Sequence, residues 1–210
     1  LTAIQNADTA LKYAKKRGKD CFSIFNTSMK DEIVRKAKII KNMKSAIKND
    51  LLDVYYQPKI NLSNENFMGI EALLRWDDEE LGTISPGEFI PVAEETGIII
   101  ELGRYVLRKV CMQIKIWEAG RVNYRNVAVN LSAKQFRDAS LPQYIANILS
   151  EYGVSPNVLE LEVTESAIIE NIKNSNKMIN EFIKKGIKIA IDDFGKGYCS
   201  YIYLCNLSLN

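Results

Sequence analysis

Histidine is missing from all 210 residues. Without an imidazole no Ser/His or Cys/His nucleophile can be assembled, and zinc centres built on that ligand are excluded. Cysteine is sparse: Cys21, Cys111, Cys199 and Cys205 show no Cys-x-x-Cys spacing and read as reduced, structural thiols of a reducing compartment. Long apolar runs are missing too, none approaching the about 20 residues that a membrane-spanning helix needs. No sign of charge dominates. There are 28 basic and 26 acidic residues for a net charge of +2, which argues against a nucleic acid polymer or an anionic membrane as the main partner. The chain opens on Leu1 rather than Met, with a charged, helical pattern and no signal peptide, and it reads as a cut from a longer protein. Chemistry is left to carboxylates, amides, lysines and arginines, which favour hard divalent metals held through oxygen.

What the sequence does hold is organised around Ile187-Lys188-Ile189-Ala190-Ile191-Asp192-Asp193-Phe194-Gly195-Lys196-Gly197. An apolar run of strand length stops on two adjacent carboxylates, followed by a glycine-flanked turn whose backbone can approach a ligand. Neighbouring aspartates repel, so either a cation lies between them or one of them caps a following helix. Three earlier strand-like stretches also end on oxygen ligands, Glu71, Asn130 and Glu162, and they favour the cation.

In chain order, Ile4, Ala7, Leu11 and Ala14 recur at helical spacing up to Lys15, Lys16, Arg17 and a Gly18 cap, and Cys21 to Phe25 alternates as a short strand. Asp31 to Asn49 is a helix with Ile33, Ala37, Ile40 and Ile47 as its apolar stripe, Ser28 or Asp31 as its cap and lysines on a solvated face. Leu51 to Gln57 is a strand, and Pro58 suits a sheet edge or a strand end. Phe67 to Trp76 is another, and its period of two places Gly69, Glu71, Leu73 and Arg75 on one face. Glu71 and Arg75 lie about 13 Å apart along an extended chain, too far to pair directly, so they suit a common ligand, the acid holding a metal and the arginine a phosphate or base edge. Strands over Asn126–Asn130 and Val158–Val163 alternate with helices over Glu101–Trp117, Leu141–Tyr152 and Asn171–Lys185, the pattern of parallel βα units with ligands at the C-terminal strand ends.

Two resemblances follow from these motifs. Ala7-Asp8-Thr9-Ala10-Leu11, Ala14-Lys15 and Gly18-Lys19-Asp20 resemble the closing segment of GGDEF (diguanylate cyclase-like) domains, without that family's catalytic loop. Tyr55-Tyr56-Gln57-Pro58, Glu71-Ala72-Leu73, Ser85-Pro86-Gly87-Glu88-Phe89-Ile90-Pro91, Ala93-Glu94-Glu95-Thr96-Gly97, Val129-Asn130-Leu131-Ser132, Glu162-Val163-Thr164-Glu165-Ser166 and Asp192-Asp193-Phe194-Gly195 resemble, in order, the EAL domain. That family holds cyclic di-GMP phosphodiesterases and their non-catalytic relatives.

The resemblance implies an α/β fold, a modified TIM (β/α)8 barrel with an antiparallel first strand, incomplete in this chain. It divides the chain into the end of a GGDEF-like domain (1–26), a linker helix (27–50) and an EAL domain (51–210) that stops before its sixth strand. Glu71, Asn130, Glu162, Asp192 and Asp193 match the family's metal ligands, with Glu71, Asp192 and Asp193 counted as catalytic. Gln57 and Arg75 match substrate-contacting positions. Glu165 matches the glutamate that holds the loop after the Asp-Asp pair, although an acid at a helix N-terminus explains it equally well. In that loop Lys196 and Cys199 depart from the family's Thr and Ser. The function implied is hydrolysis of cyclic di-GMP to linear pGpG at a two-metal Mg²⁺ or Mn²⁺ site, in a cytoplasmic homodimer or the cytoplasmic part of a membrane-anchored protein. The family's Lys-Ile-Asp strand, with its general base, falls beyond Asn210, so the 210 residues alone are expected to be inactive. A non-catalytic cyclic di-GMP receptor is the alternative, and an enolase-like carboxylate-metal barrel a third reading.

Overall fold

The computed structural model describes residues 2–195 apart from 17 and 19. Lys196 and Cys199, singled out above, lie outside the described residues. Contacts divide the chain into two units, with the boundary between Ala46 and Ile47.

The first unit contains helix α1 (Thr2–Lys16), which buries Ala10 and Ala14, carries an exposed Asp8–Lys12 ion pair at 2.8 Å and is followed by Gly18 at φ 109°. Two expectations fail here. Among the described residues, 21–25 join no strand ladder, and Phe22 and Ile24 stay exposed. An alternating pattern becomes a strand only where a neighbour supplies the hydrogen-bond ladder. Helix α2 (Thr27–Lys48) starts four residues before Asp31, and neither Ser28 nor Asp31 caps it: Asn26 Oδ1 accepts from the backbone N–H of Met29 at 3.1 Å. Its buried side chains are Met29, Ile39, Met43, Ala46 and Ile47, while Ile33 and Ala37 are exposed. The helix carries more aliphatic residues than one stripe can hold, and of the four that periodicity selects Ile47 is buried, Ile40 half-buried and the other two exposed.

The second unit runs in the order β1 (Asp53–Ile60), β2 (Phe67–Asp78), β3 (Gly82–Ile84), α3 (Pro86–Thr96), α4 (Ile99–Ala119), β4 (Val127–Leu131), α5 (Ala133–Phe136), α6 (Leu141–Tyr152), β5 (Leu159–Thr164), α7 (Glu165–Ile169), α8 (Ile172–Lys184) and β6 (Lys188–Asp192). The sheet order is β1-β2-β4-β5-β6, with β3 hairpinned on β2. β1 is antiparallel to β2, while β2, β4, β5 and β6 are parallel through helical crossovers. This is a mixed α/β unit with the strand sense of part of a (β/α)8 barrel whose first strand is reversed. Among the described residues no pairing closes β6 onto β1. Pro58 lies in β1, the edge strand, where its missing N–H costs no ladder bond.

The two faces of the sheet differ sharply. Along β5, Leu159, Leu161 and Val163 are fully buried and alternate with half-buried Glu160, Glu162 and Thr164. Along β2, Ile70, Ala72 and Trp76 are buried, with Trp76 meeting Phe89 of α3 edge-on at 5.7 Å. The apolar face packs under the helices: α4 buries Leu102, Val106, Val110 and Ile114 at helical spacing. α6 ends at Gly153 in the left-handed region, φ 63°, as its glycine suggests. The other face of the sheet carries the polar side chains.

Candidate active site

Strand register sorts those polar side chains into rows. Gln57, Glu71, Ala128, Glu160 and Lys188 are in register across β1, β2, β4, β5 and β6. Asn130, Glu162 and Ala190 form the next row toward the C-terminal ends of the parallel strands. Beyond them Thr164 is level with Asp192, and Arg75 of β2 with Asp53 of β1. Five residues singled out in the sequence, Gln57, Glu71, Asn130, Glu162 and Asp192, therefore share one face of one sheet.

Glu71 and Asn130 are in direct contact: the Asn130 amide donates to Glu71 Oε1 at 2.7 Å. Glu162 lies beside Asn130 in register, but its Oε1 accepts from the Lys59 ammonium. Burial lifts the Glu162 carboxyl above the usual carboxylate range; Lys59 opposes the rise, and the charges of Glu71 and Glu160 add to it. Burial works against the Lys59 ammonium, yet Glu162 and then Glu160 outweigh it and raise its pKa. Asp192 ends β6, and its Oδ1 accepts from the backbone N–H of Asp193 at 2.7 Å. Asp193 turns the chain at φ 56°, a left-handed conformation that aspartate tolerates better than most residues. Among the described residues no three acids or cysteines converge tightly enough to enclose an ion. The donor set nonetheless fits a hard divalent cation, since carboxylates and an amide face one another across neighbouring strands and Glu162 already bears repulsion that a cation would relieve.

Arg75 makes no pair with Glu71. Its Nη1 donates to Leu74 O at 2.9 Å, and its guanidinium lies 5.7 Å from the centre of the Tyr55 ring. A cavity of about 310 Å³ opens here, lined by Leu73, Arg75, Asn130, Glu162 and Thr164 on the strand side and by α3 and α4 on the other. Glu165 begins α7 and is only 3% exposed; its Oε2 accepts from the backbone N–H of Gly195 at 2.7 Å, in the turn that follows the Asp-Asp pair. Its second oxygen, buried, has no partner among the described residues.

Three site residues escaped the sequence reading. Lys59, Glu160 and Asn126 form a layer beneath the candidate ligands: Lys59 reaches Glu160 Oε1 at 3.3 Å, and the Asn126 amide donates to Glu160 Oε2 at 3.1 Å. Extending the period of two from Gln57 to Lys59 and from Glu162 back to Glu160 would have placed the first two on the ligand face.

A family model described as EAL domain matches residues 40–210. The bifunctional diguanylate cyclase/cyclic di-GMP phosphodiesterase MucR of Pseudomonas aeruginosa is 38% identical over 202 residues, which cover 96% of this chain and 30% of that protein. The cyclic di-GMP phosphodiesterase PdeR of Escherichia coli is 36% identical over 207 residues, 99% of this chain and 31% of that protein. The chain thus spans about a third of the length of these curated relatives. Among solved structures, the PaMucR phosphodiesterase in complex with c-di-GMP superposes with a TM-score of 0.77 at 38% identity, covering 82% of this chain and 70% of that one. This solved relative is a TIM-like barrel, and the mixed sheet described above has the strand sense of part of one. On the extent of the family match, the fold and the ordered site motifs together, the chain belongs to the EAL domain family.

Proposed function

We propose that this chain carries the metal-binding and nucleotide-binding half of a cyclic di-GMP phosphodiesterase that opens one phosphodiester to give linear pGpG. One observation supports this above the others: Glu71, Asn130 and Glu162 share the polar face of three neighbouring strands, Asn130 in contact with Glu71 and in register with Glu162, with Arg75 lining the adjoining cavity. Glu71, Asn130, Glu162, Asp192 and Asp193 would hold Mg²⁺ or Mn²⁺ in a two-metal site. When bound, the metal supplies a lowered pKa for the attacking water and neutralisation of the phosphoryl oxygens. Arg75 and Gln57 hold the dinucleotide, Arg75 through charge-assisted hydrogen bonds to phosphate or base edge. Glu165 fixes the turn after Asp193 through Gly195.

The same reading makes residues 1–26 the end of a GGDEF-like domain, residues 27–50 a linker helix, and the protein a cytoplasmic homodimer. No helix among the described residues is long and apolar enough to cross a membrane. A second reading, a cyclic di-GMP receptor without turnover, is favoured by one feature: the Glu162 carboxylate is already paired with Lys59.

The test is chromatography of cyclic di-GMP incubated with Mn²⁺ and the intact protein whose complete barrel includes this chain. Linear pGpG should accumulate first and vanish with chelator or with Glu71→Ala, while Glu71→Ala retains dinucleotide binding. Binding without any product would establish the receptor, and GMP as the first product would contradict both.

A further inference from the structure

Lys59 stands between two carboxylates of one strand. Its ammonium is hydrogen-bonded to Glu162 Oε1 and lies 3.3 Å from Glu160 Oε1. All three side chains are withdrawn from solvent, at 33% exposure for Lys59, 22% for Glu160 and 12% for Glu162. Charges so placed are weakly screened, and an ammonium with three donors on a flexible four-carbon stem can pass from one acceptor to another with little cost.

The lower acceptor is built for this. Asn126 fixes Glu160 Oε2 at 3.1 Å and leaves Oε1 turned toward Lys59. Asn126 has that position because residue 69 is glycine: a Cβ there would overlap Asn126 Oδ1 and lie 2.9 Å from its backbone oxygen. Glu162 is in register with Asn130, whereas Glu160 is one row further from the strand ends, level with Ala128.

Resting on the phosphodiesterase reading above, we propose that Lys59 is an internal counter-ion that competes with the divalent metal for Glu162 and passes to Glu160 when the metal takes that carboxylate. An ammonium and a divalent cation repel at such a separation, so the lysine cannot keep Glu162 Oε1 while the metal uses it. Glu160 then retains the buried ammonium with a partner rather than leaving it bare, the state that a buried charge tolerates least. Lys59 is in these terms a positioning residue that sets metal affinity through Glu162. Were the pair only structural, losing Lys59 would loosen Glu162 and weaken metal binding. Competition has the opposite sign.

The experiment is calorimetric titration of the purified protein with Mn²⁺, each variant first shown to be folded by circular dichroism. Lys59→Met should raise Mn²⁺ affinity by about tenfold, the size expected for a unit charge a few ångströms from a divalent cation even in a medium as polar as water. Lys59→Gln, which keeps a hydrogen-bond donor but not the charge, should raise it too. Glu160→Gln should lower the affinity, and by a smaller factor in the Lys59→Met background, because the displaced ammonium is then gone. Unchanged or lower affinity in both Lys59 variants, with Glu162→Gln still weakening Mn²⁺ binding, would overturn the competition and leave the phosphodiesterase reading standing. No Mn²⁺ binding by the unsubstituted protein would overturn both.

Discussion

Gly103 of α4 lies so close to Gln135 that a Cβ at position 103 would overlap Gln135 Nε2. Gln135 is buried and cannot simply swing away. Its Oε1 accepts from the Ser132 hydroxyl at 2.8 Å and from the Ser132 backbone N–H at 3.2 Å, while its own backbone N–H donates to Ser132 Oγ. This capping box closes the turn that leaves Asn130. Glycine to alanine inside a helix ordinarily stabilises by up to about 1 kcal/mol. Here Gly103→Ala should instead destabilise by about 1–3 kcal/mol through overpacking, and Gln135→Ala in the same chain should recover part of the loss. Urea denaturation of the single and double variants measures both. A stabilised Gly103→Ala would refute the close approach.

Tyr105, on the same helix, ties α4 to the start of β1. Its hydroxyl lies 2.6 Å from Leu52 O and 2.8 Å from Asp50 Oδ1, and with a single proton it donates to one at a time. Tyr105→Phe should cost about 1–2 kcal/mol in denaturant unfolding, because a buried carbonyl loses its donor. Lys109, ahead of Tyr105, holds the Asp50 carboxyl below the usual carboxylate range. A depressed carboxylate contributes stability above its unfolded pKa, and that stability is lost as pH falls through the folded one. Asp50→Asn should therefore flatten the acid limb of the stability curve, and only slightly, since the Asp50 side chain is 64% exposed. An Asp50→Asn cost larger than that of Tyr105→Phe would contradict this ranking.

The cysteines offer a chemical probe of the core. Cys111 of α4 is buried, and burial first, then the charge of Glu151, pushes its thiol up to about 12. Cys21 is exposed. The thiolate fraction of Cys111 near neutral pH should be down by about three orders of magnitude from an ordinary thiol, before lack of access is counted. Brief alkylation with iodoacetamide followed by peptide mass spectrometry should label Cys21 and spare Cys111 until denaturant is added. Equal labelling of the two would mean that α4 is not seated as described.

Much of this arrangement could be read from residues, and the failures are instructive. The alternation Leu159-Glu160-Leu161-Glu162-Val163 shows both faces of β5, and the spacing of Leu102, Val106, Val110 and Ile114 shows the buried side of α4, because each element is long enough to display its period. Elements such as β3, α5 and α7 span three to five residues, too few for any periodicity to register, and α3 was known only as a run of motif residues. At the site, Asn130 and Glu162 were legible as oxygen donors near strand ends, whereas Glu71, expected to end its strand, lies within β2, which runs on to Asp78. The Lys59 bonds were not, since their partners are 101 and 103 residues away and their meeting depends on how β1 lies across the parallel strands.

The division of labour at the site is open to one direct measurement: Mn²⁺ and cyclic di-GMP affinities, by calorimetry, of the purified protein and of Glu71→Gln, Asp192→Asn and Arg75→Ala. Glu71→Gln and Asp192→Asn should each weaken Mn²⁺ binding by at least about tenfold, as expected when an anionic ligand becomes a neutral amide. Arg75→Ala should leave Mn²⁺ affinity nearly unchanged and weaken cyclic di-GMP binding. Mn²⁺ affinity that survives both carboxylate substitutions intact would contradict the assignment of this cluster as the metal site.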